Sequence, residues 1–133
     1  MDLMYAANAA NRQKVLNAYK QSSVETASPA ELVLMLLNGC LRNMKEAITY
    51  IEGKDNTGAN DKLVRAQEII HELRAALDFT AGDLAAGLNS LYDFAYSCLI
   101  KANIRKQTGS VEDAIQVVTQ IRDAWEEAMR NYG

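Results

Sequence analysis

Glu68 and His71 come nearest to a catalytic or metal-binding motif in this chain. They form a Glu-x-x-His pair, which supplies two ligands from one helix in di-iron carboxylate bundles. A complete site of that kind needs a second such pair, and the chain contains a single histidine. The pattern therefore predicts no metal site.

His71 also suggests phosphoryl transfer as an alternative chemistry. At 100° per residue it lies roughly 140° from the apolar stripe of its helix, so it faces solvent, as the phosphoacceptor of a histidine phosphotransfer domain does. Arg74, one turn further on, is placed to steer a phosphate. An ordinary surface histidine fits the same observations, so a signalling bundle that uses His71 is kept only as an alternative.

The two cysteines, Cys40 and Cys98, have neither metal-ligand spacing nor the pattern of a disulfide framework. Both fall on inward faces of predicted helices with no basic group placed to activate them, so we expect them to pack in the core. The chain also lacks a Gly-rich phosphate loop, a Ser-His-Asp set and an inward carboxylate pair. The sequence therefore predicts no catalytic residue, no cofactor and no enzyme activity, and the free thiols favour a cytoplasmic location.

The composition indicates one helical domain. The chain has 133 residues, 49% of them hydrophobic and 23% charged, which suits one packed core. One proline and seven glycines are too few for the many turns of an all-β protein. The net charge of −3 supplies no basic field for nucleic acid, and the longest run of large apolar residues, 32–37, is too short to insert in a membrane.

Apolar residues at helical spacing predict four helices after a weak N-terminal segment. Residues 1–27 contain few large apolar groups, so we expect a mobile or lightly docked segment with at most a short helix. The first strong helix begins at Ser28-Pro29-Ala30-Glu31, where Ser28 and Glu31 can form a capping box around a proline at the first helical position. The four helices are expected near 28–53, 60–79, 84–106 and 110–133, with a polar turn at 54–59.

Short connections between long helices force neighbouring helices to be antiparallel. The fold class predicted is therefore all-α, an up-down four-helix bundle. The whole chain, 1–133, is expected to form a single domain, with residues 28–133 as the bundle and 1–27 as the added segment. The inward faces predicted for the last two helices are Leu84, Leu88, Leu91, Ala95, Cys98, Leu99 and Ala102 on the third, and Val111, Ala114, Val118, Ile121, Trp125, Ala128 and Tyr132 on the fourth.

The first and third helices carry more apolar residues than one buried stripe requires. An exposed apolar groove of this kind can bind an amphipathic helix of another chain, and Gly39 would let that backbone approach closely. Two alternative interpretations are that these residues broaden the core, and that the bundle uses them to associate with a second copy of itself. The predicted partner-binding residues of the two helices are Leu32, Met35, Leu36, Gly39, Asn43, Tyr50, Phe94, Tyr96 and Ile100.

The order and spacing of several segments resemble the flagellin export chaperone family. The matching stretch runs from Ala18-Tyr19 to Trp125 and so covers most of the chain. The segments that carry the resemblance include Thr26-Ala27-Ser28-Pro29, Asn38-Gly39-Cys40-Leu41, Leu91-Tyr92-Asp93 and Arg122-Asp123-Ala124-Trp125.

The resemblance implies a cytoplasmic helical bundle without enzymatic activity. Its partner would be the disordered C-terminal segment of flagellin, which wraps around the bundle, folds partly into helices and is kept from polymerising before export. The loaded complex would be read by the flagellar export gate, and other flagellar regulators would be further partners. The N-terminal segment would occupy part of the flagellin surface when no flagellin is bound, and Tyr19 matches a family tyrosine tied to that segment's roles.

Overall fold

Four antiparallel α-helices make up residues 28–132, which are the residues that this computed structural model describes. Each helix packs against the next one in the chain, and the last also packs against the first, so the four form a closed ring. The predicted all-α bundle is confirmed. The expectations for residues 1–27, Tyr19 included, lie outside the described residues. The helices are α1 (Pro29–Glu52), α2 (Asn56–Ala75), α3 (Asp83–Arg105) and α4 (Thr108–Tyr132), with a 3-10 turn at Phe79–Ala81 before α3.

The start of α1 forms through the predicted capping box. The Ser28 hydroxyl accepts a hydrogen bond from the Glu31 backbone N–H at 3.1 Å, and the Glu31 carboxylate accepts one from the Ser28 backbone N–H at 2.8 Å. The Ser28 backbone N–H, and after it the Ser28 hydroxyl, lower the pKa of Glu31 by hydrogen bonding to its carboxylate. Pro29 occupies the first turn, where its missing N–H has no helical partner to lose.

Helix α2 begins four residues before the predicted start. The Asp55 carboxylate accepts a hydrogen bond from the Gly58 backbone N–H at 2.9 Å and so caps the helix, which makes the end of the predicted polar turn helical. Gly58 is required there because a Cβ at that position would lie 2.5 Å from a ring carbon of Tyr50. The helix also ends earlier than predicted, at Ala75.

The core is built largely from α1 and from the inward faces of the other helices. Cys40 is fully buried, as predicted, and its thiol donates a 3.8 Å hydrogen bond to the Ala66 carbonyl of α2. Burial raises the pKa of that thiol to about 12. Other fully buried residues on the four helices include Leu37, Met44, Leu63, Ile70, Leu99, Val111 and Val118.

The inward face of α3 differs from the prediction. Leu84 and Leu91 were expected to face inward, but 64% and 40% of their surfaces are exposed. Cys98 is only partly buried. The helix is rotated about its axis relative to the prediction, so that three alanines, one tyrosine and one leucine face the core. The buried residues of α3 are Ala85, Tyr92, Ala95, Leu99 and Ala102.

The inward face of α4 matches the prediction over its first half and departs from it near the C-terminus. Trp125 is half-buried, and its indole N–H donates a 2.9 Å hydrogen bond to the Ala30 carbonyl, which ties α4 to the first turn of α1. Ala128, which was predicted to be inward, is exposed. Near its C-terminal end, α4 therefore buries fewer of its residues than the apolar spacing predicts.

The two glycines Gly58 and Gly87 provide a matched test of this packing. We expect Gly58→Ala to destabilise the protein by about 1–3 kcal/mol, because the new methyl group overlaps the Tyr50 ring. Gly87→Ala meets nothing within 4 Å and should stabilise the protein by about 0.5–1 kcal/mol. Urea unfolding of both variants measures the difference, and equal effects would contradict the Tyr50–Gly58 contact.

The buried thiol of Cys40 predicts a pH dependence of stability. Because its folded-state pKa is raised from about 9.0 to about 12, its contribution is intact below pH 9 and is lost as the pH rises towards 12. The loss reaches about 1.4 kcal/mol per pH unit for one group. Cys40→Ala should lose less stability than the native chain between pH 9 and 11 in urea unfolding. Parallel pH profiles of the two proteins would contradict this.

Candidate functional site

The exposed large hydrophobic side chains of residues 28–132 gather on or beside α3. Phe94 is 51% exposed and Ile104 is 78% exposed. Two more lie nearby in the chain or on the adjoining helix, Phe79 before α3 and Val64 on α2. Scattered exposed apolar residues need no explanation, but a set on one helix indicates an interaction surface. We call the five on α3 itself the α3 strip: Leu84, Leu91, Phe94, Ile100 and Ile104.

The N-terminal half of the α3 strip borders α4. At 100° per residue Leu84, Leu91 and Phe94 share one flank with Cys98. Burial raises the pKa of the Cys98 thiol, and the Asp113 carboxylate of α4 raises it further, which places this flank beside α4. Helix α4 is partly apolar here, with Val117 half-buried and Ala124 exposed.

The C-terminal half of the α3 strip borders α2. Ile100 and Ile104 line an open cavity of about 230 Å³ between the two helices. The other lining residues are polar. The Asn103 side-chain amide donates a 2.8 Å hydrogen bond to the side-chain oxygen of Asn60, and the Lys106 ammonium donates to the side-chain oxygen of Asn103 at 2.5 Å. The cavity therefore has a hydrogen-bonded polar part and an apolar rim supplied by α3.

The predicted groove on α1 is not open. Leu32 and Leu36 are only 3% and 5% exposed, and Gly39 is buried. At 100° per residue these residues share a flank of α1 with Tyr50, which contacts Gly58 of α2. That flank faces a helix of the same chain, so the expectation of an exposed groove at Leu32, Leu36 and Gly39 is wrong.

The other predicted partner-binding residues fall into a half-buried group and an exposed group. Met35, Asn43, Tyr50 and Tyr96 are half-buried, and the Asn43 amide donates a 2.9 Å hydrogen bond to the Gly39 carbonyl within α1. Phe94 and Ile100 are exposed. A role of the whole set in partner binding stays a prediction.

Sequence reasoning missed Leu84 and Leu91 as surface residues. Their spacing with Leu88, Ala95 and Leu99 fits a helical stripe, which is why the sequence predicts that they face inward. The available signal was that Ala85 and Tyr92, each one position after these leucines, continue the helical spacing of the predicted inward residues Ala95 and Ala102.

His71 lies exposed on α2, as predicted. Arg74, the residue expected to steer a phosphate, is engaged elsewhere: its guanidinium donates a 3.1 Å hydrogen bond to Asn89 and lies 3.4 Å from the Asp93 carboxylate. Across residues 28–132 no group of three or more His, Cys, Asp and Glu side chains is arranged to hold a metal ion. In the same range no helix is both long enough and apolar enough to cross a membrane.

Comparison with known proteins decides the family. A family model described as flagellar protein FliS matches residues 11–132. The chain belongs to the FliS family. It is 41% identical over 119 residues to the flagellar secretion chaperone FliS of Bacillus subtilis (strain 168), covering 90% of this chain and 89% of the relative.

Two further comparisons agree with the FliS family. The flagellar secretion chaperone FliS of Escherichia coli (strain K12) is 33% identical over 132 residues, covering 95% of this chain and 93% of the relative. A crystal structure of a flagellar chaperone from bacteria shares the fold with a TM-score of 0.73 at 17% identity, covering 90% of this chain and 98% of the other. The chain is thus a FliS-family flagellar secretion chaperone with the helical bundle of a flagellar chaperone.

Leu36→Asp and Phe94→Asp test the division between core and α3 strip. Leu36→Asp buries an unpaired carboxylate, and we expect it to destabilise the protein by more than about 3 kcal/mol or to unfold it. Phe94→Asp should change the free energy of unfolding by about 1 kcal/mol or less, because half of its side chain already meets water. Urea unfolding followed by circular dichroism measures both. A large loss at Phe94 with none at Leu36 would reverse the assignment.

Proposed function

We propose that this FliS-family protein is a cytoplasmic export chaperone that binds the disordered C-terminal segment of flagellin. It prevents flagellin from polymerising before export and delivers it to the flagellar type III export gate. It acts by binding alone, with no enzymatic activity and no cofactor, and further flagellar regulators are additional partners. The single observation that carries the proposal is the α3 strip, an apolar surface on a member of a secretion chaperone family.

The physical demand of a disordered client explains why the surface is extended. Ordering a chain costs about 1–2 kcal/mol per residue in backbone entropy. Each large apolar side chain removed from water returns about 1.5–3 kcal/mol. One pocket cannot offset the ordering of a long segment, so several anchors in a row are needed, as the α3 strip provides over about 30 Å at 1.5 Å per residue.

A chaperone of this kind must also cover the terminal segments of its client. Flagellin polymerises through its terminal segments, so a monomer stays soluble only while those segments are covered. A client bound along the α3 strip has its own apolar side chains buried against the chaperone, which removes both exposed surfaces at once. Residues 1–27, with Tyr19, are proposed to occupy part of this surface when flagellin is absent, which would lower the apparent affinity for flagellin.

A flagellin C-terminal peptide tests the proposal by isothermal titration calorimetry. We expect binding in the micromolar range or tighter. Phe94→Asp should weaken binding at least tenfold, which is about 1.4 kcal/mol. Thr49→Asp, an exposed position on α1 away from the α3 strip, is the matched control and should bind like the native chain.

Absence of binding by the native chain at micromolar concentrations would contradict the proposed function. Equal binding by Phe94→Asp would move the client surface away from α3. Sedimentation of the protein alone and with the peptide tests self-association. A dimer that persists in the presence of the peptide would favour the alternative in which the bundle is an adaptor that associates with itself.

A further inference from the structure

Helix α3 has two apolar faces that overlap. At 100° per residue, the centre of the face that it buries lies roughly 40° from the centre of the face predicted for it from the sequence. The predicted face would bury Leu84, Leu91 and Cys98, whereas the observed face buries Ala85 and Tyr92 instead. Burial of apolar surface alone therefore separates the two orientations poorly, and directed contacts are needed to fix one of them.

Arg74 of α2 supplies such contacts. Its Nε donates a 3.1 Å hydrogen bond to the side-chain oxygen of Asn89, and its Nη1 lies 3.4 Å from Oδ1 of Asp93. Asn89 and Asp93 are one turn apart on α3, so they lie on the same side of that helix. The rigid planar fork of one guanidinium therefore holds α3 at two points.

Both contacts of Arg74 are sensitive to rotation of α3. A side-chain atom about 5–6 Å from a helix axis moves by roughly 4 Å when the helix turns by about 40°. The turn that would bring Leu84 and Leu91 towards the core carries Asn89 and Asp93 away from α2. It would therefore break both contacts together.

Arg74 is held in place by the end of its own helix. It lies in the last turn of α2, where the free backbone carbonyl groups stabilise a cation. Leu73 and Leu77 near it are buried, and the Leu77 backbone N–H donates a 3.1 Å hydrogen bond to the Arg74 carbonyl. Because the Arg74 side chain is 32% exposed, its pair with Asp93 adds little to the stability of the bundle. Its main effect is on the orientation of α3.

The other directed contact of α3 lies on the same side of the helix. The Asn103 side-chain amide donates a 2.8 Å hydrogen bond to the side-chain oxygen of Asn60 on α2. Within residues 28–132, the side-chain hydrogen bonds that join α3 to another helix all run to α2. Over that range no such bond to α4 opposes a turn of α3 towards α4.

We infer that Arg74 is a positioning residue that keeps the N-terminal half of the α3 strip exposed. Without its two contacts, α3 turns so that Leu84 and Leu91 approach the core and Phe94 moves towards α4. That half of the surface is then withdrawn although the bundle stays folded. The inference rests on the proposed function, because it takes the α3 strip as the flagellin surface. It gives Arg74 a role that requires no contact with flagellin.

Labelling of Cys98 by a soluble thiol reagent measures the orientation of α3 without any client. Cys98 is partly buried on the flank towards α4, and the turn carries it inward, so Arg74→Met should slow its labelling by about threefold or more. A substitution that only loosened the bundle would speed the labelling, which is the opposite sign. Cys40 is fully buried, and mass spectrometry of peptides distinguishes the two thiols.

Arg65→Met is the matched control. It makes the same change on the same helix, but Arg65 pairs at 3.4 Å with Asp61 of α2 itself, so the labelling rate should stay native. Arg74→Lys keeps the charge without the fork and should also slow the labelling, which provides a milder variant if Arg74→Met does not fold.

Calorimetry with a flagellin C-terminal peptide links orientation to binding. Arg74→Met should bind the peptide about fivefold more weakly or worse with a nearly native urea midpoint, whereas Arg65→Met should bind like the native chain. Asn89→Ala removes one of the two points that the fork holds and should move both readouts in the same direction. Added to Arg74→Met, it should have little further effect, because the two residues act through one contact.

Unchanged or faster labelling of Cys98 in Arg74→Met would overturn the positioning role. Weaker peptide binding with unchanged labelling would mean that Arg74 contacts the client itself, and the inference would be wrong. If the native chain does not bind the peptide, the proposed function fails. The labelling experiment uses no peptide, so its result is distinguishable from that failure.

Discussion

The feature on which the rest depends is the small inward face of α3. Three of its five buried residues are alanines, whereas α1 fills the interior with Leu36, Leu37 and Met44. A core packed to the usual density has room for only so much side-chain volume, so large residues on α1 require small ones elsewhere. The large side chains of α3 are consequently on the outside. The exposed apolar surface is thus a result of how the interior is filled.

This arrangement separates stability from binding. Leu84, Phe94 and Ile104 contribute little to the core, because at least half of the surface of each is exposed. A surface of this kind can be covered and uncovered without unfolding the bundle, which suits a chaperone that must release its client for secretion. It also explains why a member of a secretion chaperone family carries exposed phenylalanine and isoleucine side chains in water.

Local signals allowed the fold to be predicted from the sequence, and they failed for much of the site. The Ser28–Glu31 capping box, the sparse glycines and the 3.6-residue spacing determine the helices with little ambiguity. The rotation of a helix about its own axis is harder to predict. Helix α3 is apolar on more than one side, and the spacing of Leu84 and Leu91 fits a buried face as well as an exposed one. On α1 the surplus residues Leu32 and Leu36 face α2, and only the packing of the two helices reveals this.

Methyl NMR of the protein during titration with a flagellin C-terminal peptide tests the central claim most directly. Leucine and isoleucine methyl groups report on the α3 strip and on the core in one spectrum. The account predicts shifts at Leu84, Leu91, Ile100 and Ile104, with Leu37, Leu63 and Ile70 unchanged. Shifts at Leu32 and Leu36, with the α3 methyl groups unmoved, would show that flagellin binds along α1 and would contradict it.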